Sequence, residues 1–299
     1  MIRIYKILED LLKKSNVDYH KNHMLSNCCT FKIGGSVDYI VYPKDTETLI
    51  DVVNHLNESG IKYHVLGNAS NVLFADEGYR GVVVFTSRLD NIRADNDIIN
   101  VECGVPLTRA AVFAMKHGLT GLEFAYGIPG TCGGAIYMNA GAYGGEMKDV
   151  TAESVFYNGK TICKLTDHEF SYRKSFYTNS DNIILSAVLK LNREDPEVIK
   201  KKMDEYMACR IEKQPLDYPS AGSVFKRCPG HHTAKLIDEA GLKGFTVGGA
   251  QVSEKHAGFI INRGNATASD VLKLIEIIKN EIYKRNNIDI ECEIKYVCT

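Results

Sequence analysis

One segment constrains this chain more than any other: Gly127-Ile-Pro-Gly130-Thr-Cys-Gly133-Gly134-Ala135-Ile-Tyr-Met-Asn139-Ala-Gly141-Ala-Tyr143-Gly144-Gly145, with seven glycines in nineteen residues. Glycine weakens helices and strands from within, but it lets a backbone pass close to another surface. A single turn does not need seven of them. A flexible loop would tolerate them, yet such loops rarely carry residues like Ile136, Tyr137 and Met138 between their glycines. The segment therefore reads as a cradle in which a flat ligand lies against the main chain.

A second, weaker signal comes earlier. Leu66-Gly67-Asn68-Ala69-Ser70-Asn71 directly follows a strand-like run. Successive backbone N–H groups in such a loop form an anion-binding nest, and Ser70 and Asn71 add polar side chains, which suits a pyrophosphate. A tight turn at a strand end explains the same residues equally well. Neither segment has the G-x-G-x-x-G spacing between a strand and a helix, so a Rossmann fold is not supported.

The surrounding pattern is that of a mixed chain of about two domains. Residues 37–66 predict strand, helix, strand. The helix has Asp45 as N-cap, Leu49, Val52, Val53 and Leu56 on its apolar face, and Gly60 as its stop. Strand-like runs follow at 82–85 and 98–103. A helix after Pro106 carries Ala110, Ala111, Phe113 and Ala114 and ends at Gly118. Further strands are expected near 154–157, 161–165 and 183–191, then a helix from Asp195-Pro196 to about Lys213. Beyond the turn-rich 214–219 lie helices at 233–240 and 269–285. The second of these has Val271, Leu274, Ile275, Ile278 and Ile282 in one stripe. Alternation over 288–297 predicts a last strand, with Ile288, Ile290, Cys292, Ile294 and Tyr296 on one face and Glu291 and Glu293 on the other. At the N-terminus, Ile4, Ile7, Leu8, Leu11 and Leu12 repeat at helical spacing among charges, which describes an amphipathic helix and not a secretory signal.

Composition narrows the function. With 36 Lys and Arg against 37 Asp and Glu, no charge excess points to nucleic acid or an anionic membrane. No apolar run approaches the roughly 18 residues needed to span a bilayer. The nine cysteines are odd in number and include no C-x-x-C pair. That argues against zinc and against a disulfide framework, and for a reducing cytosol. Cys132, Cys228 and Cys292 fall inside the motifs below and read as small space-fillers.

Several motifs stand in a fixed order. They are Thr30-Phe-Lys-Ile-Gly-Gly35, the Gly130–Gly144 run, Ser171-Tyr-Arg-Lys-Ser175, Pro219-Ser-Ala-Gly-Ser-Val-Phe-Lys226 and Lys255-His-Ala-Gly-Phe259. Together they resemble the UDP-N-acetylenolpyruvoylglucosamine reductase (MurB) family, in its shorter type without an extra substrate loop, from about residue 20 to 297. The resemblance implies an α+β fold: an FAD-binding domain of the vanillyl-alcohol-oxidase type over 1–200, then a smaller α/β substrate-binding domain over 201–299. The last strand, about 288–297, would pack back towards the flavin. It implies a cytoplasmic monomer that uses non-covalent FAD and NADPH to reduce the enolpyruvyl ether of UDP-N-acetylglucosamine to UDP-N-acetylmuramate, a step of peptidoglycan precursor synthesis. No metal, membrane or nucleic acid is expected. Two other readings stay open: an FAD-dependent sugar or alcohol oxidase sharing the first domain, and a flavin-binding protein without catalysis.

The same resemblance assigns roles. Ser223 is the proton donor, Arg173 polarises the substrate carboxylate, and Glu293 assists the enol-type intermediate. Periodicity alone does not choose Glu293 over Glu291. Cofactor contacts are expected from Gly67, Asn68, Ala69, Ser70 and Asn71, and from Tyr126, Gly127, Pro129, Gly130, Gly133, Gly134, Ala135, Asn139, Gly141 and Tyr143. Lys226, Arg227 and Arg210 suit the substrate diphosphate. His256 is a candidate pocket residue, with a core role equally open. Three positions depart from the family pattern: Ala69 in place of glycine, Cys228 in place of proline, and Cys292 inside Glu-x-Glu.

Overall fold

The computed structural model describes residues 2–298, with side chains from Tyr5 onward. It falls into two compact units. The first comprises Met1–Lys21, Tyr39–Asn68 and Gly81–Cys209; the second comprises Asn22–Asp38, Ala69–Arg80 and Arg210–Thr299. The units are thus interleaved along the chain, with two short early segments grouped with the C-terminal part.

The first unit mixes helices and strands, as the sequence patterns imply. Helix α1 (Ile2–Lys14) buries Leu8 and Leu12 completely but leaves Ile7 at the surface. Ile4, expected on the same stripe, lies outside the described side chains. Helix α2 (Thr46–Glu58) begins at a capping box in which the Asp45 carboxylate accepts from Thr48 N at 2.8 Å. Such a cap satisfies an N–H that the helix itself cannot. Leu49, Val52, Val53 and Leu56 are at most 1% exposed, each contributing roughly 1.5–3 kcal/mol of burial. The strand Tyr63–Leu66 then runs parallel to Tyr79–Phe85, in register Tyr63 to Val82 and Leu66 to Phe85. Helix α3 (Leu107–Lys116) buries Leu107, Ala110, Ala111 and Ala114. A five-stranded antiparallel sheet follows the order Ile162–Leu165, Thr151–Tyr157, Ile183–Lys190, Ile98–Glu102, Ile92–Asp95. Helix α5 (Pro196–Lys213) starts at the expected Asp195-Pro196.

One element was not legible. Inside the glycine-rich segment lies a short helix, α4 (Cys132–Met138), with Thr131 as N-cap. Adjacent glycines disfavour helix by about 1 kcal/mol each relative to alanine. Tertiary contact overrides that preference: a Cβ at Gly133 would sit 2.7 Å from the Cβ of Cys103. Only glycine lets the helix approach this closely.

The second unit centres on an antiparallel sheet ordered Ser220–Ser223, Phe259–Asn262, Ala250–Val252, Thr246–Val247, with helices α6 (Thr233–Glu239) and α7 (Ala268–Asn286). The α7 stripe is buried as its spacing predicts. Its N-terminus carries a Thr267–Asp270 capping box and is capped again by Asp76, whose carboxylate accepts from Ala268 N and Ser269 N at 2.7 and 2.9 Å. The long last strand is not found. Only Lys295–Val297 is strand, parallel to Val72–Phe74. Alternation also fails there: Tyr296 is 44% exposed and Val297 buried. The pairing with Val72–Phe74, with Ala75 N donating to Val297 O, sets which residue turns inward.

Candidate active site

In the first unit the two glycine loops are locked together. A Cβ on Gly67 would lie 2.2 Å from Thr131 Oγ1. Asn68 Nδ2 donates to Pro129 O at 3.1 Å. The first-turn N–H groups of α4 are occupied: Cys132 N donates to Val105 O, Gly133 N to Cys103 O, and Gly134 N to Thr131 Oγ1. Gly133 and Ala135 are buried, so both serve packing. Gly134 differs. It is exposed, and a Cβ there would meet only Thr131 Oγ1 at an ordinary 3.5 Å. Neither packing nor backbone angle requires glycine at this helical position, and its cost is retained where a ligand must approach the backbone.

The Gly141–Ala142 and Gly145–Glu146 strands form a hairpin around Tyr143-Gly144, both at positive φ (53° and 87°). Such two-residue turns favour Asn or Gly. Tyr143 nevertheless occupies one position, 40% exposed, its ring stacked on Tyr206 at 4.6 Å. Asn139 ends α4 in the left-handed region at φ 42°. Its Nδ2 donates to Glu146 Oε2 (2.8 Å) and to Ser171 O (3.0 Å), and its Oδ1 accepts from Lys148 N (3.0 Å). Ser171 and Lys174 exchange backbone hydrogen bonds at 3.1 Å around a tight turn. Arg173 holds the third turn position at φ 57°, where glycine or asparagine is usual. Strain of this kind, about 1–3 kcal/mol, persists only where surroundings enforce it. Here Ser175 Oγ and Thr178 Oγ1 donate to Tyr137 O, pinning the base of the loop to α4.

In the second unit, Ser223 ends the strand Ser220–Ser223. Its register against Phe259–Asn262 slips between Ser220↔Ile261 and Ser223↔Phe259, so one extra residue is accommodated. Gly222 sits in that bulge at φ 77°, where an added Cβ would meet no atom within 4 Å. Bulges re-aim the following side chain and recur beside active sites. Next to Ser223, Val224 O accepts from Glu293 N at 2.7 Å, and Lys226 N donates to Glu291 O at 2.9 Å. Glu293 O in turn accepts from Asn71 Nδ2 at 3.2 Å, and Lys295 N donates to Asn71 O at 2.9 Å. Main-chain bonds therefore place Glu293 beside Asn71 and beside Val224, the residue after Ser223, in one patch. Ala69, two residues before Asn71, lies at φ 45° and is 4% exposed. Among the described residues, no acceptor takes the N–H groups of Ala69 or Ser70. Successive backbone N–H groups in such a loop suit an anionic ligand such as a pyrophosphate.

Two family models match the chain, and the first of them takes in residues of both units. Residues 37–158 match an FAD binding domain model, and residues 214–297 match the C-terminal domain of UDP-N-acetylenolpyruvoylglucosamine reductase. A reductase of that name from Caldicellulosiruptor bescii is 48% identical over 294 residues, 97% of this chain and 94% of its own length. Another, from Caldanaerobacter subterraneus subsp. tengcongensis, is 47% identical over 97% of this chain and 96% of its own. The chain belongs to the UDP-N-acetylenolpyruvoylglucosamine reductase family. The crystal structure of the Thermus caldophilus family member superimposes with a TM-score of 0.79 at 31% identity, covering 94% of this chain and 98% of that one.

As a member of this reductase family, the chain puts its motifs to two kinds of use. Thr30–Gly35 is structural: Thr30 Oγ1 donates to Ser220 O at 2.7 Å, and a Cβ on Gly35 would lie 2.1 Å from Asp76 O. Lys226 Nζ pairs with Glu291 at 2.8 Å. Arg227 is exposed, and Arg210 is half-buried in the last turn of α5. His256 accepts from Gly258 N through Nδ1 at 3.1 Å and packs edge-on against Phe259. Tyr126 and Gly127 are half-buried, as are Gly130 and Gly141. Thr131, Glu146 and Gly222 were missed. The first had a signal, a threonine one residue before a helical turn; the others depend on long-range pairing. The Ala69 departure falls at a positive φ, where glycine would be unstrained. Burial pushes the thiols of Cys103 and Cys132 up to about 12, as expected of fillers. Among the described residues, no cluster of His, Cys, Asp or Glu suits a metal, and no helix is long and apolar enough to cross a membrane.

Proposed function

We propose that this chain reduces enolpyruvyl UDP-N-acetylglucosamine to UDP-N-acetylmuramate with NADPH, through FAD held by the Gly67–Asn71 loop and the open face at Gly134. It acts as a cytoplasmic monomer, supplying peptidoglycan precursor for cell shape and division. The observation that carries this reading is the patch that draws Ser223, Asn71 and Glu293 together, although Asn71 and Glu293 are 222 residues apart. A flavin held there would supply the hydride chemistry between NADPH and the methylene carbon of the enolpyruvyl group.

The remaining chemistry belongs to the chain. Negative charge develops on the carbon beside the substrate carboxylate. Arg173 grips that carboxylate with a planar fork whose charge is permanent. Ser223 Oγ gives its proton to the adjacent carbon. A hydroxyl is a weak acid, so it serves only because the acceptor is strongly basic and the group is held in place by the Gly222 bulge. Glu293, fixed through its backbone to Val224 and Asn71, assists the enol-type intermediate. Lys226, Arg227 and Arg210 bind the diphosphate.

Ser223→Ala tests this reading by stopped-flow flavin absorbance. Bleaching by NADPH requires no proton from Ser223 and stays normal, while reoxidation by the enolpyruvyl substrate falls about 10²–10⁴-fold, the range of general-acid catalysis. Equal slowing of both halves would make Ser223 a flavin-positioning residue and defeat the assignment.

A further inference from the structure

Asn139 lies in the glycine-rich cradle, yet its amide has little left to offer a ligand. Both Nδ2 hydrogens are used, by Glu146 Oε2 and Ser171 O, and Oδ1 accepts from Lys148 N. A carbonyl cannot donate and a backbone N–H cannot accept, so these partners fix which way the amide points. The residue is 1% exposed.

Two of the three partners lead to Arg173. Ser171 opens the turn in which Arg173 occupies a left-handed position, a conformation that non-glycine residues rarely adopt. Glu146 interacts electrostatically with Arg173. Burial pushes the Glu146 carboxyl up, but hydrogen bonds from Lys148 and Asn139, with the charges of Lys148 and Arg173, outweigh it and hold the group below its ordinary range. The neutral amide of Asn139 thus bridges the Glu146 carboxylate, which is ion-paired with Lys148 at 3.0 Å, to the start of the arginine turn.

We propose that Asn139 is a positioning residue for Arg173: its amide ties the Arg173 turn to Glu146 and so fixes where the guanidinium meets the substrate carboxylate. The proposal rests on the role given to Arg173 above. It removes Asn139 from the flavin contacts and gives it to the substrate half of the reaction.

Asn139→Gly in the holoenzyme is the test, because glycine keeps the left-handed backbone and removes only the amide. FAD affinity and bleaching by NADPH stay at wild-type levels. Reoxidation by the enolpyruvyl substrate falls about 10²-fold, the scale of a 1 Å misplacement. Calorimetric binding of the enolpyruvyl nucleotide weakens, whereas UDP-N-acetylglucosamine, which lacks the carboxylate, binds as before. In an Arg173→Ala background the same substitution adds nothing, since residues acting through one another are not additive. Glu146→Gln, which keeps the shape and loses the charge, produces the same selective loss and carries the test if Asn139→Gly fails to fold.

Weakened FAD binding with both half-reactions slowed alike would make Asn139 a flavin contact and overturn the inference. An undiminished loss in the Arg173→Ala background would overturn it too, while leaving the role of Arg173 intact. Wild-type reoxidation by Arg173→Ala alone would remove the role of Arg173 itself, and this inference with it.

Discussion

Gly222→Ala isolates the bulge that aims Ser223. Gly222 lies at φ 77°, and a Cβ there meets no atom within 4 Å. The substitution therefore introduces no clash, and its whole cost is conformational. An L-residue in the left-handed region loses roughly 1–2 kcal/mol. Reduced freedom of the unfolded chain returns about 0.4–1 kcal/mol. The net destabilisation is about 1 kcal/mol, which lowers the melting temperature by about 2–4 °C. The bulge relaxes to avoid part of this strain, and Ser223 moves with it. Stopped-flow absorbance then reports normal flavin bleaching by NADPH and slowed reoxidation by the enolpyruvyl nucleotide, bounded by the loss in Ser223→Ala. Gly222→Asn recovers much of the rate, because asparagine tolerates the same backbone region. Wild-type reoxidation in the alanine variant, despite the expected drop in melting temperature, would refute the idea that the bulge aims the serine.

Gly35→Ala is disruptive for the opposite reason. Its Cβ would lie 2.1 Å from Asp76 O and 2.6 Å from Gly78 N, backbone atoms that cannot swing aside, so a loss of about 1–3 kcal/mol is expected in chemical denaturation; an unchanged midpoint contradicts it. His168 is buried against Ser154 Oγ at 2.8 Å, and burial lowers its pKa despite Thr166 and Asp167 acting the other way. The neutral ring is thus favoured by folding: its stability is present above about pH 6.5, the unfolded value, and is lost as pH falls through the lower folded pKa. His168→Gln flattens the fall in melting temperature just below pH 6.5, and an unaltered slope refutes the assignment. Cys103 and Cys132 resist alkylation at pH 8 in the native protein, since burial suppresses their thiolates; rapid labelling of either in a mass-spectrometric assay contradicts this.

Local signals were legible wherever a short stretch of chain sufficed. Asp45 and Leu49 through Leu56 specified α2, because a cap and a 3.6-residue apolar period act within a few turns. The α7 stripe and the Asp195-Pro196 start succeeded for the same reason. Legibility failed where distant segments compete with local preference. Two glycines argued against a helix at Cys132–Met138, and only the surface of Cys103 reveals why the chain coils there. Alternation over 288–297 described a long strand, but pairing with Val72–Phe74 kept three residues of it and turned Val297 inward in place of Tyr296.

Motif chemistry divides in the same way. The order of the motifs was enough to assign the family, and the roles proposed for Ser223, Arg173 and Glu293 came with that resemblance, since the residue types alone did not choose them. Which glycine stays exposed and uncrowded, which glutamate is tied up by Lys226, and what holds Arg173 in a strained turn were decided by tertiary structure alone. Each depends on a backbone angle or a hydrogen bond between residues far apart in sequence, and no local pattern of residues encodes such a contact.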